Sequence, residues 1–396
     1  MNKLRQFFAL DRPWLLIAFL APLLLSLTAC SLPQIKAEDR LFLNLSVDFL
    51  DEYRMPKLSF AEAPVGGLSG ITYDRQRDHF YAISDDRSER APARFYTLKL
   101  SLQAAGSDGA IQIGNLEIEK VTTLTAEDGS PYANGTIDAE GIALSPRQTL
   151  LISSEGVSRD GIPPFIDEFD LETGRWQSRL PIPQRFLPGA DRPSGVQDNL
   201  GFESLTLNAS GSAGGRLEPF RVFAATESAL QQDLPDAPET SGAKPLPVRF
   251  LHYLVGDRQT TLLAEHLYLV EPAPEGATNG LSELLTLDQG GHFLSLERSY
   301  GELAGTNAHL FQLATGVATD ITGVDTLKGD VSGIAPIYKR SLLNLGDLGI
   351  PLDNLEGMAV GPRLADGSRS LLLISDDNFN PAQVTQLLLF RIRGID

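Results

Sequence analysis

Acidic residues recur in this 396-residue chain at matching places in a repeated pattern. The segments opening at Leu68-Ser69-Gly70, Ala139-Glu140-Gly141, Phe202-Glu203-Ser204, Ser282-Glu283-Leu284 and Leu355-Glu356-Gly357 align Ser69, Glu140, Glu203, Glu283 and Glu356 at intervals of 63 to 80 residues. After a turn and a second apolar run, each copy ends on further acid: Asp85-Asp86, Glu155, Glu227, Glu297 and Asp376-Asp377. Carboxylates gathered in such number repel one another, so they must hold protons, pair with arginine or bind metal. Arg87, Arg159 and Arg298 each follow a second-run acid closely and are too few to neutralise the set. Oxygen donors in excess, with carbonyl oxygens from Asn199, Asn279, Asn354 and Asn378, suit calcium, which takes roughly six to eight oxygen ligands. A plainer role stays open for any one acid, since strand-end Asp and Glu also fix turns by accepting from backbone amides.

Other chemistry finds little support. The five histidines are scattered, with His79 and His292 opening second runs at the far end from the acids, and they make no zinc site. Neither a G-x-x-x-x-G-K-[ST] phosphate loop nor a G-x-S-x-G nucleophile elbow occurs. Ser69 and Ser332 precede glycines but have no histidine placed to activate them.

The elements that must position the acids are short strands. Thirty-six Gly and 25 Pro punctuate apolar runs of five to eight residues, which favours β-structure over long helices. Each repeat reads as a hairpin followed by two more strand-like runs, such as Phe95 to Leu100 with Ile118 to Leu124. In an antiparallel hairpin the start of the first strand and the end of the second share one end, so both acids of every copy face one rim. The fold expected is all-β: a β-propeller of five four-stranded blades, with six if the interval 203–283 hides a degenerate unit. The last repeat lacks a fourth strand, and Leu41 to Leu50 can supply it beside Gln386 to Arg391, closing the ring through both chain ends. The loops Ala126 to Ile137, Pro183 to Asn199, Gln231 to Pro247 and Glu271 to Gly280 would emerge at the acidic rim, and Gln231 to Pro247 reads equally as a lid or a surface insertion.

The net charge of −18 repels nucleic acid and anionic lipid, so no nucleic-acid partner is expected. Residues 1–29 read as an export signal: Lys3, Arg5 and Arg12 precede an apolar stretch from Trp14 to Ala29 that is short for a bilayer span and broken by Pro22. Leu27-Thr28-Ala29-Cys30 resembles the lipobox of bacterial lipoproteins, which implies cleavage before Cys30, acylation of that sole cysteine, residues 30–40 as a tether and an exported, membrane-anchored monomeric domain over 41–396. Removing residues 1–29 leaves a net charge of −20.

Asp138-Ala139-Glu140-Gly141-Ile142-Ala143-Leu144 and Gly201-Phe202-Glu203-Ser204-Leu205-Thr206, with Ser153-Ser154-Glu155 and Leu296-Glu297-Arg298-Ser299, resemble the phytase-like family described as having esterase-like activity, over about residues 62–393. The resemblance implies a relative of β-propeller phytases with phosphoesterase activity carried by Glu140, Glu155, Glu203, Glu227, Glu283, Glu297 and Glu356. The first-strand glutamates Glu140, Glu203, Glu283 and Glu356 are then expected to act in the chemistry. Asp85, Asp86, Glu155, Glu227, Glu297, Asp376 and Asp377 would hold calcium, and Arg87, Arg159 and Arg298 would receive a small phosphorylated or otherwise anionic substrate. A non-catalytic calcium-stabilised propeller that binds a saccharide, peptide or protein, and a calcium-dependent lactonase or other ester hydrolase, share the same ring of acids. The anchor is checked independently: mass spectrometry of the N-terminus should find an acylated Cys30, and Cys30→Ser should release the protein from membranes, whereas an intact Met1 in the membrane fraction refutes the assignment.

Overall fold

The computed structural model describes residues 41–105, 110–189, 193–208, 218–235, 244–329 and 331–395. The export signal, the lipobox and Cys30 lie outside the described residues. Leu43–Asp396 form one compact unit.

A strand β1 (Ser46–Met55) and a small hairpin of β2 (Leu58–Phe60) and β3 (Ala63–Val65) precede the first blade. Blade one is β4 (Leu68–Asp74), β5 (His79–Ser84), β6 (Arg94–Ala105) and β7 (Ala110–Thr123), and blade two is β8 (Ala139–Leu144), β9 (Thr149–Ser154), β10 (Phe165–Asp170) and β11 (Trp176–Arg179). Blade three is β12 (Ser204–Asn208), β13 (Phe220–Ala225), β14 (Leu246–Val255) and β15 (Thr260–Val270), and blade four is β16 (Thr278–Thr286), β17 (His292–Gly301), β18 (Gly305–Ala314) and β19 (Tyr338–Asn344). Blade five takes β20 (Asn354–Arg363), β21 (Arg369–Asp376) and β22 (Thr385–Arg393) from the C-terminus and β1 as its outer strand. Five antiparallel blades of four strands are thus what the chain forms, and no α-helix occurs among the described residues.

The closing strand runs over Ser46–Met55 rather than Leu41 to Leu50, with Phe49 opposite Phe390 and Met55 opposite Thr385. The side chains follow this register: Val47 and Phe49 pack into the core on one face, a bulge at Leu50 turns that residue to the other, and Asp51 accepts from the Ile113 amide of blade one (2.7 Å) while Asp48 stays exposed. The innermost strands β4, β8, β12, β16 and β20 each pack beside the next and close a ring around the channel. That approach is close enough to require glycine. A Cβ on Gly70 would stand 2.5 Å from the Glu140 carbonyl, one on Gly141 2.8 Å from the Glu203 carbonyl, and one on Gly357 2.7 Å from the Ser69 carbonyl. Between blades, apolar faces interlock, as where Phe223 and Phe250 of blade three meet the edge of Phe293 of blade four.

Removing residues 31–55 should strip β22 of its partner and expose an apolar edge carrying Phe390 and Ile392. The thermal midpoint is expected to drop by roughly 10 °C or more, given ~2–4 °C per kcal/mol for domains of 150 to 250 residues. A truncated protein that melts with the full mature domain would overturn the closure.

A candidate active site at the acidic channel mouth

The site forms where the first strand of each blade opens and the second ends. In blade five Leu355 pairs with Ser375 and Gly357 with Ile374, leaving Glu356 as an extra, bulged residue. Blades one and two bulge at Ser69-Gly70 and Glu140-Gly141. Such a bulge turns its side chain out of the regular alternation and into the channel.

Blade four follows the same geometry one residue out of step with the sequence alignment. Leu281 pairs with Glu297 and Glu283 with Leu296, so the bulged residue is Ser282. Glu283 therefore takes the place of Gly357, and Glu297 that of Ser375. Arg298, not Glu297, occupies the position held by Asp85, Glu155 and Asp376 in blades one, two and five. The ring of second-strand ends is thus four carboxylates and one guanidinium. Arg298 spends its donors on Glu227 (3.1 Å), Glu356 (3.4 Å) and Ser282 (3.3 Å). Although burial opposes its charge, Glu356, Glu227, Glu203 and Asp376 hold its pKa above the ordinary arginine value.

A cavity of about 850 Å³ opens here, lined by Asp85, Glu140, Glu203, Glu356, Asp376 and Arg298 among others. Just behind lie Asp138, Glu155 and Glu227, all buried. Asp138, one residue before the blade-two strand, has no acidic equivalent in the other repeats and so carries no repeat signal. It receives both ends of the Arg87 guanidinium, which also reaches Asn199. Burial raises the pKa of each of these carboxyls, with like charges adding to the effect at all but Glu227. Asp85, Glu140, Glu155, Glu203 and Asp376 stand well above the usual range, Asp138 and Glu227 are raised despite Arg87 and Arg298, and Glu356 is pushed up to about 7. Ser69 donates its hydroxyl to Glu140.

Several expected residues are elsewhere. Glu283 is buried within the channel wall and accepts from the Leu205 (3.3 Å) and Leu284 (2.8 Å) amides, tying blades three and four together. Glu297 accepts from Tyr268 (2.6 Å), Lys339 (2.7 Å) and the Glu271 amide (2.9 Å) behind the mouth. Asp86 touches the mouth but is held by Arg94 and by the Arg90 and Ala91 amides. Asp377 caps a turn through the Gly67 (2.9 Å) and Phe379 (3.1 Å) amides and pairs with Lys57. Arg159 is exposed and faces Asp198 at 3.5 Å, outside the cavity. Of Gln231 to Pro247, residues 236–243 lie outside the described residues, and Asp233 is buried against Arg249 (2.8 Å) rather than over the mouth.

Whether the donors suit a cation is decided by their oxygens. Asp85, Asp138 and Glu140 form one group, and Glu155, Glu203 and Glu227 another, each with ligand oxygens within 4.8 Å of one another. Two ligands about 2.4 Å from one calcium ion stand at most about 4.8 Å apart. Asp85 Oδ1 and Glu203 Oε2 are buried without any hydrogen-bond partner, the vacancy a cation would fill. The donors present fit calcium.

The family model described as phytase-like, with esterase-like activity of phytase, matches residues 63–379, and the chain belongs to this family. No curated protein matches it. Among solved structures, the chain is similar to a Bacteroides ovatus protein titled xyloglucan PUL GH43B, at 12% identity and TM-score 0.41, covering 85% of this chain and 53% of that one. It is similar also to the catalytic domain of the Coprinopsis cinerea GH62 α-L-arabinofuranosidase, at 8% identity and TM-score 0.40, covering 89% and 98%. The chain spans about half the length of the first of these. At TM-scores this low the likenesses bear on no functional conclusion.

The raised carboxyls give the metal-free protein a defined pH response. A group whose pKa is higher folded than unfolded takes up its proton on folding, so its contribution is full below the unfolded value and lost as the pH climbs through the folded one. For Glu356 that window runs from 4.5 to about 7. In chelator, the thermal midpoint should fall between pH 5 and 8 and calcium should restore it at the upper end, with a shallower slope in Glu356→Gln. Melts that are flat in pH without calcium would refute this.

Proposed function

We propose that this propeller hydrolyses phosphate esters at the acidic mouth with the help of a bound calcium ion. The observation that carries the reading is the imbalance at the channel floor. Among the described residues, Asp85, Asp138, Glu140, Glu155, Glu203, Glu227, Glu356 and Asp376 share it with Arg87 and Arg298 as their close charge partners, and Arg90 at the rim. A bare pocket of this charge rejects phosphate. Calcium held by the Asp85 and Glu203 groups would offset that charge and supply an electrophilic centre for an anionic substrate.

The chain's own residues divide the remaining work. Glu356, which burial pushes up to about 7 in the metal-free protein and whose Oε1 accepts from the Asn354 side-chain amide (2.7 Å), lines the cavity as a proton acceptor or donor. Arg298, fixed between Glu227 and Glu356, keeps a positive charge facing the oxygens on which negative charge builds. Ser69 orients Glu140. Export to the outer side of a membrane on a lipidated Cys30 would place the mouth in a calcium-containing medium.

The test uses residues 31–396 with phosphomonoester and phosphodiester substrates, in calcium and in chelator. Turnover should require calcium, and Glu203→Gln should lower kcat/KM about 100-fold or more while leaving the calcium-free melting midpoint unchanged or higher. Glu297→Gln, which breaks the contact with Lys339, should instead lower the midpoint and leave kcat within a small factor. Bound calcium without turnover on either substrate class would refute hydrolysis in favour of a calcium-stabilised binding module.

A further inference from the structure

A second cleft, of about 630 Å³, adjoins the mouth and shares two wall residues with it, Arg90 and Phe379. Its other walls are Leu58, Pro64, Val65 and Pro381, with Lys57 and Asp377 paired at one edge. The hairpin β2–β3 forms one side and the loop after β21 the other. We propose that this cleft binds the organic half of the substrate, so that the ester cleaved is one between phosphate and an apolar, preferably aromatic, alcohol. The proposal rests on the phosphoesterase reading and names its substrate class.

Two features of the shared wall point to a ligand. The first is Arg90. Its guanidinium carbon lies 4.3 Å from the centre of the Phe379 ring, which fixes the plane of the group before any ligand arrives. Its nearest carboxylates, Asp86 at 3.7 Å and Glu89 at 4.0 Å, are both beyond hydrogen-bonding distance. Arg87 and Arg298, the other guanidiniums at the mouth, already donate to carboxylates at close range. Arg90 is therefore oriented, charged and still able to donate where the two cavities join, the place an anionic phosphoryl group would occupy if its ester oxygen pointed toward the cleft.

The second feature is the backbone under the ring. Asn378 and Phe379 both sit in the left-handed region, at φ +47° and +50°. Asparagine tolerates this; a bulky aromatic does so only under strain. The strained turn is held by the Asn378 amide on Asp376 (2.7 Å) and the Phe379 amide on Asp377 (3.1 Å). The ring then lies against a backbone with no side chains, since a Cβ on Gly66 or Gly67 would stand 3.0 or 2.6 Å from it. Glycine at 379 would satisfy the turn with less strain. Phenylalanine there carries backbone strain that its ring contacts, with Arg90, with the Gly66-Gly67 backbone and across the cleft, must offset. An aliphatic floor with a cation at its inner end and an aromatic edge beside it matches an amphiphile whose charge faces the mouth and whose apolar body lies in the cleft. A polyphosphorylated polyol would leave that floor desolvated by nothing.

The experiment compares 1-naphthyl phosphate with glycerol phosphate on residues 31–396 in calcium, and follows binding of non-hydrolysable 1-naphthyl phosphonate by calorimetry. Wild-type protein should favour the naphthyl ester in kcat/KM, and Phe379→Gly should reduce that preference about tenfold, mainly through KM, the size of one lost aromatic contact of ~1.4 kcal/mol. Arg90→Gln should weaken phosphonate binding. Phe379→Leu, which keeps an apolar side chain, should retain part of the preference, and melting curves will show whether both variants fold. If neither ester is turned over yet the phosphonate binds and Phe379→Gly abolishes that binding, the cleft stands and hydrolysis falls. Because naphtholate leaves more readily than a glycerol alkoxide, the ratio itself is not the readout: if both esters are hydrolysed and Phe379→Gly changes neither their ratio nor phosphonate affinity, hydrolysis stands and the cleft assignment is overturned. Absence of both turnover and phosphonate binding overturns both.

Discussion

Like charges buried together at the end of a closed channel dominate the energetics of this protein. Each innermost strand approaches its neighbours so tightly that glycine replaces side chains at the contact, and the bulge beside that glycine has only the channel to point into. A carboxylate placed there meets the carboxylate of the next blade at the floor of the cavity, with little of its own surface exposed. Burial and neighbouring like charges raise the pKa at each of these glutamates, so a cation bound there would have to displace protons. Structure elsewhere yields to that constraint: one blade contributes a guanidinium where the others contribute acids, and hydroxyls at Ser69 and Ser282 take the place of two glutamates.

Acids at the edge of the ring serve a different purpose. Asp86 with Arg94, Asp377 with Lys57, and Glu297 with Lys339 are ion pairs that anchor loops to blades, Lys339 also meeting Glu271 at 2.8 Å. Arg94 also donates to the Pro64 carbonyl at 3.1 Å, so the pair Asp86–Arg94 fastens the small hairpin against blade one. Ion pairing of this kind leaves no oxygen for a ligand. Two neighbouring aspartates just past β5 thus part ways: both touch the cavity, but Asp86 is tied to Arg94 and to the Arg90 and Ala91 amides while Asp85 faces the carboxyl cluster.

The five-blade ring and its closure were legible in the sequence because period-two apolar runs and turn residues are local signals, repeated five times. Glu140, Glu203, Glu356, Glu155 and Asp376 were legible for the same reason. Glu283 and Glu297 misled: the blade-four motif contains Ser282-Glu283 where others have Glu-Gly or Glu-Ser, and a single-residue offset is invisible when both registers place an acid in line. Only the pairing of Leu281 with Glu297 settles it. Asp138, Arg90 and Phe379 left no repeat signature, since they come from loops whose courses are set by contacts between blades.

The strand that completes blade five is the first to be synthesised, and its partner β22 is the last. Blades one to four can each assemble from contiguous chain as it emerges, but β1 must remain unpaired until almost the entire polypeptide has followed it. Glu356, Asp376 and Phe379 belong to that final blade as well. The growing chain therefore passes through a stage with most of its sheet built and a gap in the wall of the mouth.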